Sequence, residues 1–162
     1  MGSGKTSIGK KLSKMMKFNF IDTDHLIEEK TGVDIPTIFE HEGEAGFRKR
    51  ESNILREISS LESTVIGTGG GIIISEENRE IIKKLGYIVY LTASIEELVY
   101  RTEQDKNRPL IKGYNSKKII TDLIDQREKY YENISNIKIS TDNYDTVKIS
   151  KIIIKDYEKN NS

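Results

Sequence analysis

The chain has 162 residues, with 26 Lys plus Arg balancing 26 Asp plus Glu, 35% hydrophobic residues and no cysteine. That length fits one compact domain. A formal net charge of zero argues against a dedicated nucleic-acid or membrane-surface binder, and the absence of cysteine excludes disulfide frameworks, thiolate metal sites and cysteine nucleophiles.

The apolar runs, such as Gly71-Ile72-Ile73-Ile74 and Ile152-Ile153-Ile154, fall far short of the ~20 residues a membrane span requires, and the N-terminus lacks the apolar stretch of a signal peptide. A cytoplasmic protein is expected. Short β-rich runs at Phe18–Ile21, Thr64–Ile66, Tyr87–Leu91 and Ile137–Ser140 alternate with amphipathic segments. Helices are expected at Ser7–Met16, Asp24–Lys30, Gly43–Ser60, Glu76–Leu85, Ile95–Arg101, Ser116–Tyr131 and Asp145–Lys159. This alternation predicts an α/β fold with a short, mainly parallel sheet covered by helices. Thr102–Asn115, polar and broken by Pro109 and Gly113, reads as a mobile surface excursion, and the polar end Lys159–Ser162 as a fraying tail.

In chain order, the first chemical signal is Gly2-Ser3-Gly4-Lys5-Thr6 at the start of a helix, the second half of the pattern G-x-x-x-x-G-K-[ST]. Glycines let backbone N–H groups curl around an anion, and the helix N-terminus adds partial positive charge. Lys5 would reach the β and γ phosphates and the Thr6 hydroxyl would ligate magnesium. The first glycine of the full pattern falls before Met1, so the strand that leads into such a loop is expected to be missing from this chain, through a truncated or misassigned start. Its absence would leave neighbouring strands with unpaired N–H and C=O groups, costing several kcal/mol in aggregate.

Asp22-Thr23-Asp24 follows a strand, at the carboxyl end where open α/β sheets place their ligands. One of these carboxylates could instead cap the helix that follows. Phe47-Arg48-x-x-Glu51 puts Arg48 and Glu51 on one helix face, where a plain intrahelical ion pair is the commoner outcome. Thr68-Gly69-Gly70-Gly71 permits close backbone approach to a ligand. Arg108 in Arg108-Pro109-Leu110 and Arg127 in Arg127-x-x-x-Tyr131 supply forks suited to carboxylates and phosphates, with surface solvation the bland alternative for each. His25 and His41 match no catalytic pattern.

Taken in order over nearly the full length, this set resembles the shikimate kinases, members of the nucleoside monophosphate kinase-like P-loop fold. The resemblance implies a single three-layer α/β domain over residues 1–162, its first strand missing, with a mobile lid at about 102–115. It implies transfer of the γ-phosphate of ATP, with Mg2+, to the 3-hydroxyl of shikimate, in the route to chorismate and aromatic amino acids. Lys5, Asp24 and Arg108 become the catalytic candidates. Asp24, Phe47, Arg48, Glu51, Gly69, Gly70, Gly71 and Arg127 become the shikimate pocket, with Arg48, Arg127 and the Gly70 backbone on its carboxylate. Gly2, Ser3, Gly4, Lys5, Thr6, Ser7, Arg101 and Arg108 become the nucleotide site, and Thr6 and Asp22 the metal site. Arg101 resembles the arginine that packs on adenine, and Thr141, Asp142 and Asn143 the other side of that site. A monomer acting on small molecules alone is implied. The competing readings are a related gluconate kinase and an inactive nucleotide-binding module.

Overall fold

The computed structural model describes residues 2–104, 116–142 and 145–160. The order of elements is α1 (Lys5–Met16), β1 (Asn19–Asp22), α2 (Thr23–Thr31), α3 (Ile35–Ile58), β2 (Thr64–Gly67), a 3-10 turn (Ile72–Ile74), α4 (Glu76–Leu85), β3 (Val89–Thr92), α5 (Ile95–Gln104), α6 (Ser116–Ile134), β4 (Ile137–Ser140) and α7 (Thr146–Asn160). The chain forms two compact units, Gly9–Gly86 and Met1–Ile8 with Tyr87–Ser162.

In the first of these, β1 and β2 pair in parallel with Asn19 opposite Thr64 and Asp22 opposite Gly67. Because the strands run the same way, Asp22–Asp24 and Thr68–Gly71 leave the sheet at the same end. The core is Ile27, Ile38, Phe47, Ile54, Leu55, Ile58 and Ile72, drawn from α2, α3 and the 3-10 turn, with Ile21 and Ile66 of the strands packed against it. Gly9 of α1 lies on Phe20, where a Cβ would overlap the ring.

Helix α3 begins at Ile35, eight residues earlier than the sequence pattern suggests, with Asp34 as N-cap accepting from the Thr37 N–H at 3.0 Å and a proline in its first turn. It is interrupted at Gly43 (φ 67°, ψ −175°), a left-handed conformation that glycine adopts freely. That interruption hides the first segment, which is too short to declare its period.

In the other unit, β3 and β4 are parallel, with Val89 opposite Ile137 and Thr92 opposite Ser140. Leu98 and Ile120 join α5 to α6, with Ala93, Val99 and Ile124 against them. Helix α5 continues to Gln104, and Thr102 is buried with its hydroxyl donating to the Leu98 carbonyl at 2.6 Å, so the expected excursion does not begin at residue 102. The remainder of that segment, residues 105–115, lies outside the described residues. The four strands thus form two parallel pairs, and α1 precedes all of them among the described residues. No helix among the described residues is long and apolar enough to cross a membrane.

Candidate active site

Within Gly9–Gly86, two backbone devices hold the carboxylates at the strand ends. Asp22 caps α2, its Oδ1 accepting from the N–H groups of Asp24 at 3.1 Å and His25 at 3.5 Å. Thr23, fully buried, accepts from the Gly69 N–H at 3.2 Å and ties the start of α2 to the glycine loop. Thr23 is a positioning residue that the sequence reading missed, although its place between two aspartates was the available signal.

The glycine loop owes its composition to side chains that lean on it. A Cβ at Gly69 would lie 2.5 Å from Asp24 Oδ1 and 2.9 Å from Glu51 Oε1, and one at Gly71 would overlap the Arg48 guanidinium. Glycine here yields space to three ionisable groups and so gathers Asp24, Arg48 and Glu51 at one loop. From the far side, the Asn78 amide donates to the Ile72 carbonyl at 3.0 Å, and Arg79 Nη1 to the carbonyls of Ile73 and Ile74 at 2.9 and 2.8 Å. These α4 residues also escaped the sequence reading, since a helical Asn-Arg pair carries no distinctive pattern.

Arg48 Nη1 pairs with Glu51 Oε2 at 2.5 Å, so the i to i+3 ion pair is real. It is not a solvated surface pair, because Glu51 has no exposed surface and the Arg48 side chain is 24% exposed. Burial opposes the Arg48 charge, yet hydrogen bonding and attraction from Glu51, then Glu44, outweigh it and hold the guanidinium above its ordinary value. Arg48 therefore stays charged, anchored on one side to a buried partner. Phe47 is buried against Phe39, ring centroids 4.8 Å apart, and the Arg48 guanidinium lies 5.5 Å from the Phe47 centroid.

In the other unit, Gly2 (φ 68°) and Gly4 (φ 80°) take left-handed conformations that open the loop before α1. Ile8 N–H bonds to the Gly4 carbonyl at 2.9 Å, Ser3 is buried, and Lys5, Thr6 and Ser7 occupy the first turn of the helix. That turn carries no acidic residue, and a helix N-terminus of this kind bears partial positive charge. Arg101 donates to the Gly2 carbonyl at 3.2 Å, to Thr141 Oγ1 at 2.9 Å and to the Thr141 carbonyl at 3.1 Å, while its Nε pairs with Glu97 at 2.7 Å. It thus joins the phosphate-loop glycine to the loop after β4.

Asp142 fastens that same loop by accepting from the Ser94 N–H at 2.9 and 3.0 Å and from Ser140 Oγ at 2.9 Å. The Ser94 backbone bond is the main cause of its pKa lying below the ordinary aspartate value; burial opposes it, and the serine hydroxyls and Arg101 reinforce it. Asn143 lies outside the described residues, as does Arg108. Arg127, on α6, has a buried Nε without a hydrogen-bond partner among the described residues, an orphan donor that an incoming anion would satisfy. His25 and His41 are exposed helix residues.

The oxygen donors expected for magnesium, the Thr6 hydroxyl and the Asp22 carboxylate, are of the hard type that ion prefers. No group of three or more His or acidic residues with metal-site geometry occurs among the described residues.

A glycine loop opening a helix in one unit and, in the other, parallel strands whose carboxyl ends carry charged side chains are the parts of a P-loop kinase of small molecules. The sequence profile of the family described as Shikimate kinase matches residues 1–158. A shikimate kinase of Psychrobacter sp. (strain PRwf-1) is 42% identical over 154 residues, 94% of this chain and 86% of that protein. The structure of shikimate kinase from Acinetobacter baumannii in complex with shikimate superposes with a TM-score of 0.93 at 40% identity, covering 99% of this chain and 89% of the other. That from Bacteroides thetaiotaomicron gives 0.88 at 30% identity, covering 98% and 94%. The chain belongs to the shikimate kinase family.

Proposed function

We propose that this chain transfers the γ-phosphate of ATP to the 3-hydroxyl of shikimate, giving shikimate 3-phosphate and ADP. The observation that carries the residue assignment is the convergence of Asp24, Arg48 and Glu51 on Gly69 and Gly71. A carboxylated polyol needs a fixed cation for its carboxylate and a carboxylate for its hydroxyls, and this cluster supplies both.

In this reading Arg48, Arg127 and the Gly70 backbone hold the substrate carboxylate, Glu51 fixes Arg48, and Phe47 walls the pocket. Asp24 orients the 3-hydroxyl and takes its proton as the oxygen attacks the γ-phosphorus. The bond from that phosphorus to the β,γ-bridging oxygen breaks, and the electron pair leaves with ADP. Gly2, Ser3, Gly4, Thr6 and Ser7 cradle the phosphates from the α1 terminus, and Lys5 neutralises charge that builds on the transferred group. On the resemblance, Arg108 adds a second cation, and Arg101 with Thr141, Asp142 and Asn143 borders adenine. Bound through Thr6, with Asp22 acting through water, Mg2+ would offset phosphate charge. The same resemblance supports one catalytic domain acting as a cytoplasmic monomer.

A coupled ADP-release assay with ATP, Mg2+ and either shikimate or gluconate tests this assignment. Turnover with shikimate well above gluconate is the expected result; the reverse order overturns the substrate. Release of no ADP with any carboxylated polyol would favour the nucleotide-binding module.

A further inference from the structure

Two carboxylates share Arg48, and they hold it unequally. Nη1 meets Glu51, which is sealed from solvent, while Nε and Nη2 both reach one oxygen of Glu44, Oε1, at 3.2 and 2.9 Å. The Glu44 side chain is 64% exposed. The Nε and Nη2 edge of an arginine is a fork that matches both oxygens of a carboxylate through two parallel bonds. Glu44 presents it with only one.

The backbone explains why Glu44 is a loose partner. It follows Gly43, where α3 is interrupted in the left-handed region, and so sits at the frayed start of the segment that carries Arg48. Glu42, on the other flank of the interruption, is bound through both oxygens to Arg50 at 2.9 and 2.5 Å. Glu42 and Arg50 clamp the break, while Glu44 lies over the outer edge of Arg48 through one oxygen.

We propose that Glu44 is a built-in competitor of the substrate carboxylate: it neutralises the outer edge of Arg48 in the empty site and gives way to a ligand that fills both positions of the fork. The proposal rests on the reading above that Arg48 receives the substrate carboxylate. Because exposed pairs of this kind are weak, the competition sets affinity within a narrow range, about two- to fivefold. It also gives selectivity, since only a ligand with a carboxylate of its own displaces Glu44 without leaving the guanidinium edge unpaired.

The test is calorimetric titration of the native chain, Glu44→Gln and Arg48→Ala with shikimate and with shikimate methyl ester, which has the same ring but no charge. Glu44→Gln is expected to bind shikimate about two- to fivefold more tightly and to leave ester binding unmoved. Equal or weaker shikimate binding overturns the proposal, because Glu44 would then be holding Arg48 in place for the substrate. Equal tightening toward both ligands also overturns it, since the effect would not act through the carboxylate. Arg48→Ala separates the two levels of the argument: native-like shikimate affinity in that variant removes Arg48 from the carboxylate site, whereas weakened affinity there with no gain in Glu44→Gln rejects the Glu44 role alone. Glu44→Ser, measured in parallel with thermal melts, provides the same readout should the glutamine variant fold poorly.

Discussion

The glycine loop after β2 and the glycine loop before α1 share a composition and use it in opposite ways. At Gly69 and Gly71 the missing Cβ atoms make room for neighbouring side chains, so the proposed chemistry there rests on Asp24, Arg48 and Glu51. At Gly2 and Gly4 glycine suits the positive φ, and the proposed chemistry rests on the backbone and on Lys5. A site built from packed ions couples binding to stability, whereas one built from backbone and a single long cation separates them.

Lys5→Met tests that separation most severely. It is expected to lower kcat by about 10³-fold or more while thermal unfolding shifts by no more than a few degrees, because phosphoryl transfer depends on charge neutralisation. If the variant melts instead and keeps full activity per folded molecule, the phosphate role of Lys5 is wrong. Arg127→Ala should raise the shikimate KM by on the order of 30-fold or more, as an unpaired substrate carboxylate in a partly desolvated site costs about 2–5 kcal/mol. Unchanged steady-state kinetics would remove Arg127 from the pocket.

On the packed side, Glu51→Gln is expected to cost about 1.5–3 kcal/mol of stability in urea denaturation and to raise the shikimate KM at the same time. Loss of one without the other would show that binding and stability are not coupled there. Gly69→Ala should cost about 1–3 kcal/mol, since its Cβ must push Asp24 or Glu51 aside.

The smallest effect is a pH dependence at Asp142. Its folded pKa lies below the ordinary 3.8, so its contribution is fully present above the unfolded value and is lost as the pH falls through the folded one. Asp142→Asn should therefore flatten the acid limb of a stability profile below about pH 4 and change little at pH 7. An unchanged acid limb would mean the Ser94 contacts do not persist in solution.

Sequence reading located the strands to within a residue or two and all but one α-helical segment. Short β-rich runs and capping residues are local signals, and Ser75 before α4 and Asp22 before α2 are caps of the residue types that local chemistry favours. The missed segment, 35–42, lies before a glycine break that disguises its period. Among the site residues, phosphate-loop spacing and the Asp-Thr-Asp pattern were readable because backbone chemistry fixes which residues can follow one another. The order of motifs also carried the family.

What only the tertiary structure decided is which ions are buried and who shares them. From spacing alone Arg48 and Glu51 form an ordinary helix pair; the fold seals Glu51 completely and turns that pair into an anchor. Spacing likewise says nothing of the Thr23 hydroxyl on Gly69, of Asn78 and Arg79 behind the loop, or of Arg101 spanning Gly2 and Thr141. The Thr23 and Arg101 contacts join residues 40 or more positions apart, and desolvation, which gives a buried charge its consequence, belongs to the packed molecule and not to any stretch of its sequence.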